Sequence, residues 1–153
     1  MEIVEKCHIN PSRIKIIPFL NNPKFNTQFD EEKIRQTKIK HGFLPEKKIV
    51  LIAGGGEGLP GLSKLIKKCI KHSPDFAIAV VCGRDKNRKK KLCLVAKKHK
   101  NLDLHVFCFV DFMDEFVKIC DCAVIKAGPA TLMEILECKK PVIICRYKIG
   151  RAH

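Results

Sequence analysis

The sequence is poor in acidic residues and has no long hydrophobic run. Of its 153 residues, 16 are Asp or Glu and 30 are Lys or Arg, which gives a formal net charge of +14 at pH 7. No segment approaches the roughly 20 apolar residues that a membrane-spanning helix needs, and residues 1–10 lack the layout of a signal peptide. We therefore expect a soluble, intracellular chain with an anionic partner, either a nucleic acid, an acidic membrane surface or a phosphorylated ligand.

Several catalytic and metal-binding patterns are also missing. The six histidines and nine cysteines do not occur at the paired short spacings of a zinc site, so we predict no bound metal. The chain has no G-x-S-x-G motif and no Gly-Lys-Ser or Gly-Lys-Thr, which argues against a serine hydrolase and a Walker loop. Because the cysteines lie in apolar runs, such as residues 80–82 and 143–145, we predict reduced core thiols.

Short apolar segments alternate with helix-like segments along most of the chain, the pattern of β-α-β units around a parallel sheet. The predicted strands are residues 48–53, 76–82, 102–109, 122–126 and 141–145. The predicted helices are residues 30–40, 62–72, 87–98, 113–120 and 130–138. Since the strands are almost entirely apolar, we expect them to be buried on both faces. The sequence thus predicts an α/β fold, a Rossmann-like three-layer parallel sheet.

The first 29 residues differ in composition from the rest of the chain, because their prolines and asparagines would interrupt any regular helix or strand. We predict an extended connector over residues 1–29 and one domain over residues 30–153. No helix is predicted after the strand at residues 141–145, so we expect the sheet of this domain to be incomplete.

A glycine-rich segment follows the first predicted strand and precedes a predicted helix. It consists of Gly54, Gly55, Gly56, Glu57 and Gly58. Glycines let the backbone turn tightly and approach a ligand, and free amides at a helix N-terminus attract an anion. We favour phosphate or ligand contact here over a simple tight turn.

The same segment matches the dinucleotide fingerprint G-x-G-x-x-G through Gly56, Gly58 and Gly61. Asp85, beyond the next strand, stands near the place of the acid that binds ribose in such domains. An NAD-type dinucleotide-binding domain is therefore an alternative hypothesis.

A second strand, glycine and helix start lies at residues 125–134. Its candidate ligand contacts are Lys126, Gly128, Pro129, Ala130, Thr131 and Glu134. Proline fits the first helical position because its missing N–H would be unpaired anyway, so Gly128 is predicted to cap the helix and the next amides to face an anion. We favour Glu134 as a ligand contact over an ordinary acid near the helix dipole.

Two glycine turns at the carboxyl ends of parallel strands define a crevice where open α/β sheets bind ligands. A phosphate-bearing small molecule suits it, and Lys126 and Arg84 are candidate sources of positive charge.

A strongly basic segment follows, with nine Lys or Arg and one Asp between Arg84 and Lys100. We favour a solvated outer helix for it. A surface for RNA or acidic lipid is the alternative function for this part of the chain.

Four segments together resemble the C-terminal, donor-binding domain of GT-B glycosyltransferases of family 28. They are residues 54–58, 82–84, 109–113 and 126–134. Within the family the resemblance is closest to monogalactosyldiacylglycerol synthases and processive diacylglycerol glucosyltransferases. It implies hexosyl transfer from a UDP-sugar to a lipid acceptor such as diacylglycerol by an enzyme peripheral to the cytoplasmic membrane face, with no cofactor, and nucleic acid is not expected as a partner.

The resemblance also implies roles for single residues. The loop from Gly54 to Gly58 lines the cleft by the donor phosphates, next to Gly83 and Arg84 at the end of the following strand. The backbone near Phe109 and Val110, with Met113, borders the uracil. The turn from Gly128 to Thr131 faces the diphosphate, and Glu134 holds the ribose hydroxyls.

Three departures from the family pattern stand out. Pro18 and Leu20 replace the glycine and proline usual in the connector, and Gly150, Arg151 and Ala152 stand where a Gly-Gln-Glu stretch contacts the donor sugar. We also expect the N-terminal domain, which in the family carries the acceptor site and the general base, to be absent. Residues 1–29 are then the connector and a remnant of that domain. The chain is expected to be either a fragment or one subunit of a split enzyme whose acceptor domain is a separate chain, and to be inactive alone.

Overall fold

The computed structural model describes residues 10–15, 20, 22–54, 59 and 61–145. Its centre is a five-stranded, wholly parallel sheet in the order β3-β2-β1-β4-β5. The strands are β1 Ile49–Ala53, β2 Ala77–Val81, β3 Leu104–Phe107, β4 Cys122–Ile125 and β5 Val142–Ile144. The helices are α1 Glu31–Lys40, α2 Leu62–His72, α3 Lys86–Lys98, α4 Met113–Ile119 and α5 Pro129–Glu137. The predicted α/β architecture and the predicted order of elements are confirmed.

Alternating side chains of the strands pack into two separate cores, one on each face of the sheet. In β1, Leu51 and Ala53 belong to the core that contains Phe116 and Ile135, so α4 and α5 lie on that face together with α1. Ile52 belongs to the other core, with Leu92, so α2 and α3 cover the opposite face. The sheet is therefore the middle of three layers.

The strands differ in burial more than the sequence predicts. All of β2 and nearly all of β1 are buried, as expected for central strands. At one edge of the sheet, however, Ile143 and Ile144 of β5 are 55% and 45% exposed. The prediction of burial on both faces is wrong for β5, and at the other edge three of the four residues of β3 are only half-buried. Each of these edge strands pairs with a single neighbour, so fewer residues cover it.

The helix boundaries follow from local capping. Asp30 accepts a hydrogen bond from the Lys33 amide at 2.7 Å and begins α1. On the core-facing side of α2, Leu62 and Ile66 are buried, so the apolar stripe of this helix packs into the core. None of the helices among the described residues has both the length and the hydrophobicity of a membrane span.

The eight described cysteines are all free, but they are not equally buried. Only Cys82 and Cys120 are fully buried, and burial raises the pKa of their thiols to about 11 and about 12. The other six are half-buried. The prediction of core thiols is thus confirmed for two cysteines and too strong for the rest.

The last part of the connector packs on the α1, α4 and α5 side. Phe25 is buried in that core, and its carbonyl accepts a hydrogen bond from the Cys138 Sγ at 3.4 Å. The buried Lys118 donates to the Lys24 carbonyl, and its Nζ lies 4.5 Å from the centre of the Phe29 ring. Contacts of this kind join residues 24–29 to the helices of that face. Pro18 lies outside the described residues.

Candidate functional site

The sheet has a topological switch point between β1 and β4. These neighbours are in register, with Ala53 opposite Ile125. From β1 the chain crosses through α2 to β2 on one side, whereas from β4 it crosses through α5 to β5 on the other. Gly54 and Lys126, the next residue after each strand, therefore lie side by side at the carboxyl edge. Open α/β sheets bind their ligands at such a point.

The turn from β4 into α5 has the predicted form. Gly128 is the N-cap, with extended backbone at φ −104° and ψ 125°, and Pro129 is the first helical residue. The amides of Ala130 and Thr131 are first-turn donors with no acceptor inside the helix. A Cβ built on Gly128 would meet only the Lys126 carbonyl oxygen, at 3.9 Å, so it would project into open space. The backbone here is thus accessible to a ligand.

Glu134 lies in α5, one to two turns after this helix start, and is half-buried. Burial raises the pKa of its carboxyl group. Its carboxylate makes no hydrogen bond or ion pair to any of the described residues. A half-buried carboxylate with open hydrogen-bonding capacity is suited to accept hydrogen bonds from hydroxyl groups.

After β2 the chain turns sharply before α3. Gly83 is buried and has a positive φ of 61°, whereas Arg84 is exposed. Asp85 is the N-cap of α3, because it accepts a hydrogen bond from the Arg88 amide at 2.8 Å, and it also pairs with the Arg88 Nε at 3.3 Å. This acid is therefore engaged in starting a helix.

The position of Gly61 also departs from the dinucleotide fingerprint. Gly61 is the N-cap of α2 in the left-handed conformation, at φ 80°, and a Cβ there would meet nothing within 4 Å. In dinucleotide-binding domains, by contrast, the last glycine of the fingerprint lets the helix pack closely against a strand, so a Cβ at that position would be in contact with its neighbours. Together with the capping role of Asp85, this leaves the NAD-type hypothesis without structural support in the described residues.

The segment between β3 and α4 presents an aromatic side chain at the same edge. Phe109 is 66% exposed, whereas Val110 and Met113 are partly buried against the core. Phe112, between them, stacks on the ring of His41 with centroids 4.7 Å apart. The strand order places this segment two strands from β1, on the far side of β2.

A buried histidine supports this segment, and sequence reasoning missed it. The His41 Nε2 lies 2.6 Å from the Glu115 Oε2, and the Lys40 Nζ lies 2.8 Å from Oε1 of the same carboxylate. Burial opposes ionisation of Glu115, but the hydrogen bonds from Lys40 and His41 outweigh it and lower the pKa of Glu115. His41 and Glu115 are 74 positions apart, and no local pattern in the sequence links them.

The structure thus brings part of the predicted site together. Gly54, Lys126 and the start of α5 meet at the switch point, and Gly83, Arg84 and Phe109 follow the neighbouring strands at the same edge. The remaining predicted contacts, Gly55, Gly56, Glu57 and Gly58, lie outside the described residues, as do Gly150 and Arg151. Over the described ranges, no cluster of His, Cys, Asp or Glu is arranged to hold a metal ion.

The topology and its switch point define the class of protein: a doubly wound, Rossmann-like α/β domain. The chain belongs to glycosyltransferase family 28, because the model of the family's C-terminal domain matches residues 49–153. The predicted family is thereby confirmed.

Curated relatives agree with this family. The chain is 29% identical over 142 residues to a processive diacylglycerol beta-glucosyltransferase of Bacillus licheniformis, covering 93% of this chain and 36% of that protein. A protein of the same name from Bacillus cereus AH187 is 36% identical over 113 residues, covering 73% of this chain and 29% of that protein. The chain spans about a third of the length of these relatives.

Solved structures share the fold. WaaG, a glycosyltransferase involved in lipopolysaccharide biosynthesis, has a TM-score of 0.61 at 22% identity, over 92% of this chain and 40% of that one. A glycosyltransferase from Rickettsia africae ESF-5 has a TM-score of 0.67 at 20% identity, over 94% of this chain and 41% of that one. Anabaena HepE in complex with UDP-glucose has a TM-score of 0.58 at 16% identity, over 80% of this chain and 36% of that one. The fold is thus that of the C-terminal half of GT-B glycosyltransferases.

Proposed function

We propose that this chain is the donor-binding part of an enzyme that transfers a hexosyl group from a UDP-sugar to a membrane lipid such as diacylglycerol. Membership of family 28 and the names of the curated relatives support the reaction class and the lipid acceptor. The likeness of the fold to a protein solved with UDP-glucose supports the donor. The proposal covers the whole enzyme, of which this chain supplies about a third.

The observation that carries the proposal is the switch point between β1 and β4. There Gly54 and the open backbone at Gly128 lie at adjacent strand ends, beside the first-turn amides of α5. Partial positive charge at a helix N-terminus binds phosphate well. In our proposal, the diphosphate of the donor lies against these amides and the loop that continues from Gly54 to Gly58, with Lys126 and Arg84 adding positive charge.

We propose the remaining donor contacts from the family resemblance. The half-buried carboxylate of Glu134 accepts hydrogen bonds from the ribose hydroxyls, because no described residue forms a hydrogen bond or ion pair with it. The uracil lies against the backbone near Phe109 and Val110, with Met113 beside it. No cofactor takes part.

In this proposal the chain's own chemistry is to hold the donor and stabilise the leaving group. Negative charge develops on the diphosphate as UDP departs, and the amides of Ala130 and Thr131 stabilise that charge.

The general base that activates the acceptor hydroxyl belongs to an N-terminal acceptor domain. Residues 1–29 connect to that domain, and residues 30–153 bind the donor, so the chain alone binds the donor without turnover. The whole enzyme works at the cytoplasmic face of a membrane as a peripheral protein.

Calorimetric titration with UDP tests the proposal. We expect saturable binding, weakened about tenfold in Glu134→Ala because hydrogen bonds to a charged group are lost. Glu31→Ala, an exposed acid at the start of α1, is the matched control and leaves the affinity unchanged. Absence of UDP binding by the folded chain would overturn the donor site, and an increase in NADH fluorescence on titration would favour a dinucleotide site instead.

A further inference from the structure

The two helical layers of the protein carry very different charge. The α2 and α3 helices together contain eleven Lys or Arg and no Asp or Glu. The helices of the opposite layer, α1, α4 and α5, contain five Lys or Arg and six Asp or Glu. Most of the net charge of +14 is therefore concentrated on one face of the molecule.

The outward side of α3 has an apolar residue at its centre. Leu94 is 67% exposed, and its helical neighbours three and four positions away are Lys90, Lys91, Lys97 and Lys98. All four lysines are exposed. We call these five residues the Leu94 face. An exposed leucine surrounded by four lysines combines apolar contact with positive charge in one small area.

The charge of the Leu94 face is not neutralised within the described chain. None of its four lysines forms an ion pair with a described residue. In the opposite layer, by contrast, Lys40 pairs with Glu115 at 2.8 Å and Lys118 with Asp114 at 3.4 Å. Four unpaired like charges on adjacent turns repel one another, so this arrangement favours an anionic partner.

We propose that the Leu94 face docks on an anionic lipid bilayer. The lysines lie against the headgroup phosphates, and Leu94 inserts its side chain among the acyl chains at the interface. A helix with a basic face and an aliphatic side chain among its lysines binds in this way, since the two contributions add. The inference rests on the peripheral membrane association in the proposed function and names the surface that would provide it. The Leu94 face is separate from the donor site, so the inference does not depend on UDP binding.

RNA fits the Leu94 face less well than lipid does. Proteins bind single-stranded RNA by stacking bases on aromatic side chains within a basic groove. The α3 helix contains no aromatic residue, and leucine offers no flat surface for stacking. A solvent-exposed leucine is costly beside RNA but is stabilised in a bilayer interface.

The face is also separate from the candidate donor site in space. The α3 helix begins at Lys86, immediately after Arg84 and Asp85 at the carboxyl edge of the sheet. Because the helix that connects two parallel strands runs antiparallel to them, the Leu94 face, in the middle and last turns of α3, lies toward the opposite edge.

Co-sedimentation with lipid vesicles tests the proposal on the 153-residue chain. One set of vesicles is phosphatidylcholine alone, and the other contains about a third phosphatidylglycerol. We expect binding to the anionic vesicles and little to the neutral ones. Combined substitution of the four lysines, Lys90→Gln, Lys91→Gln, Lys97→Gln and Lys98→Gln, should reduce binding at least tenfold.

A second variant separates insertion from simple charge attraction. Leu94→Ser keeps every charge and should weaken binding to anionic vesicles by about threefold to tenfold. Leu136→Ser, at a leucine that is 48% exposed on α5 in the opposite layer, is the matched control and should leave binding unchanged. Circular dichroism confirms that each variant is folded.

Three results would overturn the proposal. They are equal binding to neutral and anionic vesicles, unchanged binding of the four-lysine variant, and no vesicle binding together with tight binding to oligouridine. The last would assign the face to RNA. Because vesicle binding is measured without nucleotide, failure here leaves the donor-site proposal standing, and failure of UDP binding leaves this one standing.

Discussion

The helices on the two faces of the sheet differ in how their charged side chains are neutralised. On the α1, α4 and α5 side, Glu115 pairs with Lys40 and His41, and Lys118 pairs with Asp114. On the α2 and α3 side there are eleven basic residues and no acid within the helices; Arg88 pairs with the N-cap Asp85, whereas the four lysines of the Leu94 face form no ion pair with a described residue. The first layer therefore holds the fold and the connector together by internal contacts, whereas the second leaves its charge available to an outside partner.

The largest expected effect concerns the aromatic cluster of the first layer. Phe116 is buried and lies 4.7 Å from Phe107, 4.8 Å from His41 and 5.3 Å from Phe112, measured between ring centroids. Phe116→Ala should lower the free energy of unfolding by about 3–5 kcal/mol in urea titration. Leu94→Ala, on the second layer, should change it by less than about 0.5 kcal/mol. Similar losses at both sites would contradict the division between the layers.

A smaller effect is expected at Glu115, whose substitution tests the pairing itself. Glu115→Gln should lower the free energy of unfolding at pH 7 by about 1 kcal/mol, because two hydrogen bonds to a carboxylate lose their charge. Since the pKa of Glu115 is lowered in the folded state, its contribution is present above the ordinary value of 4.5 and is lost as the pH falls through the lowered pKa. Unfolding measured from pH 7 to pH 3 should show wild type and variant converging. Curves that stay parallel would show that Glu115 contributes nothing through its charge.

The smallest effect is expected on the stability of the second layer. The four-lysine variant of the Leu94 face should differ from wild type by less than about 0.5 kcal/mol, and in the stabilising direction, because repulsion between like charges is removed. Added salt should erase the difference by screening that repulsion. A clear loss of stability, seen as a lower thermal midpoint, would mean that these lysines have structural partners.

Local sequence patterns predicted the elements well but missed contacts between distant segments. The apolar runs that became β1 and β2 and the Gly128 and Pro129 helix start needed only neighbouring residues, so they could be predicted. The His41 and Glu115 pair joins residues far apart in the chain, and nothing at either position indicates the other. The exposure of β5 depends on its place at the sheet edge, which apolar composition does not reveal.

The same distinction applies to the candidate site. The glycine turns predicted a crevice because parallel strands bring their carboxyl ends together. The role of Asp85 was not evident, since an acid after a strand is equally consistent with ribose binding and with capping a helix, and only the hydrogen bond to the Arg88 amide decides between them. Likewise, the four lysines of α3 are visible in the sequence, but the exposure of Leu94 among them required the fold.

The central claim is that the switch-point turn binds the donor diphosphate, and Gly128→Ala tests it most directly. The backbone at Gly128, with φ −104° and ψ 125°, accepts alanine, and the added methyl group would meet only the Lys126 carbonyl oxygen, at 3.9 Å. We predict that the variant folds, at a cost of about 1 kcal/mol for the poorer cap, and that calorimetry shows at least a tenfold loss of UDP affinity because the methyl group occupies the space of the phosphates. Equal UDP affinity in wild type and variant would contradict the claim.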